Sequence, residues 1–303
     1  MATPSLVHSK QYPRVYLVRH GTTEWSQNGR HTGRTDIPLL PSGVEQARLL
    51  SERIFENRCQ DMVHIDNISL VLVSPLKRAC QTYEQLLQGG QRACDAVQQA
   101  QTGDSHARDS ERPLFLRTQA RKCNLLMEWD YGDYEGITTK EILKTHPNWS
   151  VFHDGVPNGE SVDQVAERCD QVIAFIHNYQ RGIGYDGKPT KTLVMPPAVC
   201  KLVSGLLASQ QQHHANTPLE DLGDLEVVIP EDETKRDVLI VAHAHLLRVL
   251  ATRWMRLPGV QGQNLVLDTA SISVLGYEHN KEERVIKVWN QTNHLWKDDK
   301  RIG

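Results

Sequence analysis

Short apolar runs alternate along this chain with longer stretches whose apolar residues recur three and four apart. Val15–Val18 is a run of mostly β-favouring residues and predicts a buried strand, and Ile68–Ser74 predicts a second. Between them, Pro41-Ser42-Gly43-Val44-Glu45 opens a helix to about residue 57, with Ser42 and Glu45 read as a capping box. The second strand stops at Ser74-Pro75, and a helix follows from Leu76 to about Gln88. Strand, turn and helix repeat, the signature of βα units and a mainly parallel sheet. Leu114–Arg117 reads as a strand and Thr138–Lys144 as a short helix. Gly159-Glu160-Ser161 precedes a long amphipathic helix to about Tyr179, with Val165, Cys169, Val172 and Ile176 on one face. Asp237–Ala242 is a strand ending at His243, followed by a helix from about His245 to Met255. Ala270–Tyr277 and Arg284–Trp289 are the closing strands.

The pattern fails twice. Residues 89–111 are polar without periodicity and predict a surface insertion. Residues 181–235, rich in Gly, Pro, Gln and His, predict a second insertion or partly ordered flap, with a helix over Ala198–Gln210 as one reading. At 303 residues the chain is long enough for one large α/β domain with insertions or for two small ones.

Composition narrows the function classes. The hydrophobic fraction of 39% and charged fraction of 23% are ordinary for a globular protein. A net charge of −3 gives no reason to expect nucleic-acid or membrane binding, so any anion site must be built locally. Met1–Lys10 has no apolar signal core and reads as a loose terminus. The longest apolar-rich stretch, Leu193–Ala208, is interrupted by Pro196, Pro197 and Lys201 and is too short to span a bilayer. Cys59, Cys80, Cys94, Cys123, Cys169 and Cys200 are scattered with no Cys-x-x-Cys spacing, which predicts free thiols in a reducing cytosol. The expectation is a soluble cytoplasmic protein.

Candidate chemistry gathers at predicted strand ends. Arg19 and His20 follow the first strand, Arg78 follows the second by one turn, and His243 follows the Asp237 strand. Parallel strands put their carboxyl ends on one rim, so residues far apart in sequence meet in one pocket. Two arginines and two histidines around one point form a phosphate trap, and Glu128 could supply an acid. Singly, each residue has an ordinary reading. Arg19 would be a surface ion-pair partner, Arg78 a solvated helix residue, Glu128 a loop carboxylate paired with Arg121 or Lys122, and His243 a satisfied buried histidine. Their shared position decides for function. His245 reads as a packing or hydrogen-bonding neighbour, and His213-His214, in a Gln-rich run, as solvent-exposed. A metal hydrolase on His243, His245, His213 and His214 is disfavoured, because no carboxylate stands among them at helical ligand spacing.

Arg19-His20-Gly21 after a strand, Ser74-Pro-Leu-Lys-Arg-Ala79, the Glu128 loop and Ala242-His243 together resemble the histidine phosphatase superfamily, the phosphoglycerate-mutase-like fold. The resemblance covers most of residues 13–83, 113–180 and 236–290. His31-Thr-Gly33-Arg-Thr-Asp36, Glu128-Trp-Asp-Tyr-Gly-Asp-Tyr-Glu-Gly136, Trp149–Gly155 with Asn158-Gly-Glu160, and Ala242-His-Ala-His-Leu-Leu-Arg248 are similar to the fungal sedoheptulose-1,7-bisphosphatase branch. It implies a single domain over residues 1–303, a three-layer α/β sandwich with a mainly parallel central sheet and helices on both faces.

It also implies roles. His20 would attack phosphorus and form a phosphohistidine. Arg19, Arg78 and His243 would hold the phosphoryl oxygens, and Glu128 would act as general acid and base. Thr23, Thr32, Gly33, Asp130 and Tyr131 would touch substrate, with Ser26 standing where many relatives carry a phosphate-binding Asn. Ala244 replaces the Gly common after the late histidine. No metal or organic cofactor is implied, and the partner is a phosphorylated sugar rather than nucleic acid or membrane; a homo-oligomer is left open. Mutases of this fold follow the acid with basic residues, whereas Trp129 and Asp130 follow Glu128. A substrate carboxylate would meet repulsion there, and sugar hydroxyls would find an acceptor. This favours a sugar phosphate, and hydrolysis over mutase chemistry; the resemblance points to sedoheptulose 1,7-bisphosphate or a related ketose bisphosphate, with a broad-specificity phosphomonoesterase or a phosphoglycerate-type mutase on the same fold as the alternative. A non-catalytic phosphate sensor would lack His20 or Glu128, and both are present.

Overall fold

Val15–Arg19 forms the predicted first strand, β1, with its four apolar side chains fully buried. The computed structural model describes residues 11–55, 62–102, 120–195, 200–202, 226–297 and 300–302. Helices α1 (Glu24–Asn28) and α2 (Pro41–Phe55) follow, then β2 (Ile68–Val73), α3 (Lys77–Thr102) and β3 (Ala120–Cys123). Next come the short α4 (Thr139–Ile142) and α5 (Val151–Asp154), and the long α6 (Val162–Arg181). The strands β4 (Thr192–Val194), β5 (Cys200–Leu202), β6 (Glu226–Val228) and β7 (Asp237–Ala242) lead to α7 (Ala244–Trp254). The chain closes with β8 (Ile272–Tyr277), β9 (Arg284–Gln291) and a small ribbon, β10 (Trp296–Lys297) with β11 (Lys300–Arg301).

Seven strands form the central sheet in the order β5-β3-β2-β7-β1-β8-β9. The inner four, β3, β2, β7 and β1, are parallel; β5 and β8 flank them antiparallel, and β9 pairs antiparallel with β8 at the edge. The apolar runs are continuous because both faces of the sheet are covered. Leu17, Leu70, Leu72 and Ile240 pack toward α6 and α7 through Val165, Cys169, Val172, Leu246 and Leu250. The alternate residues Tyr16, Val18, Val71, Val73, Leu239 and Val241 face α2 and α3 through Leu50, Ala79, Tyr83 and Leu86. The result is a three-layer α/β sandwich.

Three expectations are corrected. The helix after β2 does not stop near Gln88 but runs to Thr102, so most of the expected insertion at 89–111 is helical. Gly89 is a contact point rather than a breaker, since a Cβ there would stand 1.8 Å from Ser51 Oγ of α2. Helix α2 begins at Pro41, with Val44 N–H donating to Leu40 C=O, and Glu45 pairs with Arg48 instead of closing a box with Ser42. In the second irregular region, Cys200–Leu202 is not helical but adds to the free edge of β3, where its backbone completes a ladder. Thr192–Val194 and Glu226–Val228 pair as a separate two-stranded ribbon. The strand expected at Leu114–Arg117 and the rest of the Ala198–Gln210 helix, save Cys200–Leu202, lie outside the described residues. Cys80, Cys94, Cys123 and Cys169 are buried. Among the described residues, no helix is long and apolar enough to cross a membrane.

At the opposite end of the sheet from the strand carboxyl ends, Asp237 is buried. It accepts from Arg14 N–H at 2.7 Å and from Tyr16 O–H at 2.9 Å. Burial pushes its carboxyl up to about 6 despite those bonds. Folding therefore favours the protonated form; this contribution is full below about pH 4, the unfolded value, and is lost as the pH rises through the folded value. Unfolding stability is expected to lose about 2–3 kcal/mol from this group between pH 4 and 7. Asp237→Asn should flatten that slope in denaturant titrations, and parallel slopes for the two proteins would refute the assignment.

Candidate active site

Strand register sets the site. Val18 of β1 and Val73 of β2 both stand opposite Val241 of β7, so the three strands end at one level. His20 N–H donates to Ala242 C=O at 3.0 Å and Ser74 N–H to Val241 C=O at 2.9 Å, carrying the alignment one residue past the strands. The imidazoles of His20 and His243 consequently lie with centroids 5.1 Å apart.

Each ring is fixed in orientation. His20 Nδ1 lies 2.7 Å from Gly21 C=O, which only accepts, so Nδ1 carries the hydrogen and Nε2 keeps its lone pair. Arg78 Nε donates to His243 Nδ1 at 3.2 Å, so the His243 hydrogen is on Nε2, which donates to Ser74 Oγ at 2.6 Å. Burial, then Arg78 and Arg19, hold His20 well below the usual imidazole range. Burial, then Arg78 and His20, do the same to His243. Both rings are neutral, as a nucleophile and a hydrogen-bond donor require.

Arg78 is fully buried in the first turn of α3. Besides His243 it donates to the carbonyls of Thr35, Thr32 and Gly33 at 3.0, 3.1 and 2.9 Å. Arg19 donates to Leu267 C=O, while its Nε is buried without a hydrogen-bond partner among the described residues. Burial lowers Arg19 to about 10, opposed by Glu128 and Asp268, which leaves it charged at neutral pH.

Glu128 lies on the N-terminus of α7, the favourable end of the helix dipole for an anion. Its Oε1 accepts from Trp129 N–H and Leu246 N–H, both at 2.9 Å, and its Oε2 from His245 N–H at 3.1 Å. The loop that carries it is pinned from behind by Arg168 of α6. That side chain donates to the carbonyls of Leu125, Met127 and Glu128 and makes a two-point pair with Glu160. The Glu128 charge is felt at both Arg19 and Arg78.

Arg19, His20, Arg78, His243 and Glu128 thus converge, while the other expected contacts are more varied. Thr23 and Ser26 cap α1 reciprocally: Ser26 N–H donates to Thr23 Oγ1, Thr23 N–H to Ser26 Oγ, and Ser26 O–H to Thr23 C=O. Thr32 and Gly33 meet Arg78 through their carbonyls. Asp130 is partly exposed, accepts from Gly132 N–H at 3.1 Å and lies 3.5 Å from Arg34. Tyr131 is buried with its hydroxyl 2.5 Å from His245 Nδ1, and the His245 ring packs beside Phe152 and Trp129, the neighbour role expected of it. Sequence reasoning assigned no role to Ser74, Glu135, Glu160 or Arg168: the first three stand inside the quoted motifs, but the groups they bind are remote in sequence. Among the described residues no group of three or more His, Cys, Asp or Glu is arranged to hold a metal ion. His213 and His214 lie outside the described residues.

A profile of the histidine phosphatase superfamily (branch 1) matches residues 15–101, 107–183 and 225–292. The chain belongs to that superfamily, and the enzyme class it defines here is a phosphatase. At 29% identity over 281 residues the chain is similar to an acid phosphatase of Mycobacterium tuberculosis, covering 93% of this chain and 94% of that protein. At 27% identity it is similar to the sedoheptulose 1,7-bisphosphatase of Saccharomyces cerevisiae, covering 88% and 89%. The solved structure of the Mycobacterium tuberculosis open reading frame Rv3214 has a TM-score of 0.57 at 28% identity, covering 92% of this chain and 98% of that one. A mycobacterial glucosyl-3-phosphoglycerate phosphatase solved with VO3 shares the fold, with a TM-score of 0.57 at 20% identity, covering 92% and 99%.

Proposed function

We propose that this phosphatase hydrolyses a sugar bisphosphate, with a ketose bisphosphate such as sedoheptulose 1,7-bisphosphate as the preferred substrate. The observation that carries the mechanism is the pair of neutral imidazoles 5.1 Å apart, flanked by the buried Arg78 and the half-buried Arg19. His20 Nε2 attacks phosphorus as Glu128 protonates the departing sugar oxygen, giving a phosphohistidine and the free hydroxyl. Water then attacks phosphorus, Glu128 takes its proton, and His20 leaves with inorganic phosphate as the second product. Arg19, whose Nε has no hydrogen-bond partner among the described residues, acts with Arg78 and His243 to hold the oxygens over which charge spreads.

For the substrate, the similarity to the yeast bisphosphatase over most of both chains is joined by the chemistry beside the acid. Asp130 would repel a substrate carboxylate and accept from sugar hydroxyls. A cytoplasmic location fits the free, buried thiols of Cys80 and Cys169. The acid phosphatase relative favours a second reading, a broad phosphomonoesterase. Phosphate release measured over sedoheptulose 1,7-bisphosphate, fructose 1,6-bisphosphate, sugar monophosphates, 3-phosphoglycerate and p-nitrophenyl phosphate separates the two. The ketose bisphosphates are expected to lead in kcat/KM by about tenfold or more, the factor that each 1.4 kcal/mol of extra transition-state contact supplies. Equal turnover across the panel would establish the broad reading, and isomerised product without phosphate release would establish a mutase.

A further inference from the structure

We propose that Glu135 is a positioning residue for the phosphate-binding arginine, fixing the guanidinium of Arg78 through the backbone of residues 33–35. The inference rests on the phosphatase reading above. Arg78 has no carboxylate partner among the described residues. Its terminal nitrogens instead donate to the Thr32, Gly33 and Thr35 carbonyls at 2.9–3.1 Å. The guanidinium therefore points where that short segment points, and the segment belongs to no helix or strand.

Glu135 is what ties the segment down. Its Oε1 accepts from Gly33 N–H at 2.8 Å and from Thr35 N–H at 3.1 Å. The fit leaves no room for a side chain at residue 33, where a Cβ would stand 2.3 Å from Trp129 C=O and 2.7 Å from Glu135 Oε2. Each of these peptide groups is thus held by a carboxylate on its N–H side, with a guanidinium on the neighbouring carbonyls, and such chains polarise one another. Glu135 Oε2 is also buried with no hydrogen-bond partner among the described residues. A buried carboxylate oxygen left so is costly unless a positive charge lies near. The nearby charge is Arg78 itself, where Glu135 opposes the penalty of burying the guanidinium. The loop from Glu128 to Gly136 thereby serves the site twice, with the acid at its start and the anchor for Arg78 near its end.

A double-mutant cycle tests this. A displacement of about 1 Å at a phosphate clamp is worth about 10²-fold in rate, so Glu135→Ala is expected to lower kcat/KM by about that factor. Glu135→Gln keeps an acceptor for both N–H groups while removing the charge, and should recover about tenfold of the loss. With Arg78→Ala already made, Glu135→Ala should cost less than about twofold more, because its effect passes through the missing side chain. A further loss of about 10²-fold in that background would overturn the proposal, since a merely structural residue lowers activity alike in both backgrounds. If Glu135→Ala fails to fold by circular dichroism, the same cycle run with Glu135→Gln decides the question. Absence of phosphate release from any ester by the unmodified protein would overturn the phosphatase reading instead.

Discussion

Replacing His20 by alanine is expected to lower phosphate release at least about 10⁴-fold, the scale of losing a covalent nucleophile whose partners remain in place. Nothing else at the rim substitutes for it. His243 carries its hydrogen on Nε2 and gives its Nδ1 lone pair to Arg78, so neither of its nitrogens is poised to attack. His20 alone is held with a free lone pair by its Nδ1 contact to Gly21 C=O. Unmodified protein quenched during turnover should carry an acid-labile, base-stable phosphoryl group, and His20→Ala should carry none. The lowered basicity of His20 sets the pH behaviour. Protonation would remove the nucleophile, and burial beside Arg78 and Arg19 moves that event well below the ordinary imidazole range. An NMR titration should therefore find the ring taking up its proton well below the usual value of about 6.5. A normal titration near 6.5, or activity retained in His20→Ala, would remove His20 from the role.

The fold was legible wherever burial on both faces writes an uninterrupted apolar run, as in Val15–Val18, Leu70–Val73 and Val238–Ala242. The converging residues were legible for a related reason. Arg19, His20 and His243 follow those runs directly, and parallel register turns a shared position in sequence pattern into a shared position in space. What failed was punctuation. Gly89-Gly90 has the look of a helix end, but Gly89 is small to admit Ser51 of the neighbouring helix, a demand made by tertiary packing alone. Ser42 and Glu45 have capping-box spacing, yet Pro41 starts the helix and Glu45 finds Arg48. The roles of the supporting residues were invisible for a third reason. Ser74, Arg168 and Glu135 act on groups 169, 40 and 102 positions away. Arg168 in particular occupies one slot in an amphipathic helix, where a long cation is unremarkable until the carbonyls above it are known.

Glu128→Gln is expected to lower kcat on a sugar phosphate by about 10²- to 10⁴-fold, the range ascribed to a positioned general acid. The size should depend on the leaving group. A sugar alkoxide needs its proton as the P–O bond breaks, whereas p-nitrophenolate departs unaided, so the aryl ester should lose far less, about tenfold at most. That split separates an acid from a residue that merely shapes the pocket, which would slow both esters alike. The substitution also disturbs a cap. Glu128 accepts three backbone N–H groups across its two oxygens, and a glutamine must turn its NH2 toward at least one of them. With Oε1 holding Trp129 and Leu246, the amide nitrogen falls against His245 N–H, donor facing donor. One such unmet pairing costs about 1–3 kcal/mol, so a fall in Tm of a few degrees should accompany the kinetic loss. Glu128→Asp keeps the charge but draws the carboxylate back from the helix terminus, and should share the destabilisation. Equal losses on sugar and aryl phosphates in Glu128→Gln would leave Glu128 as a helix cap that happens to border the site.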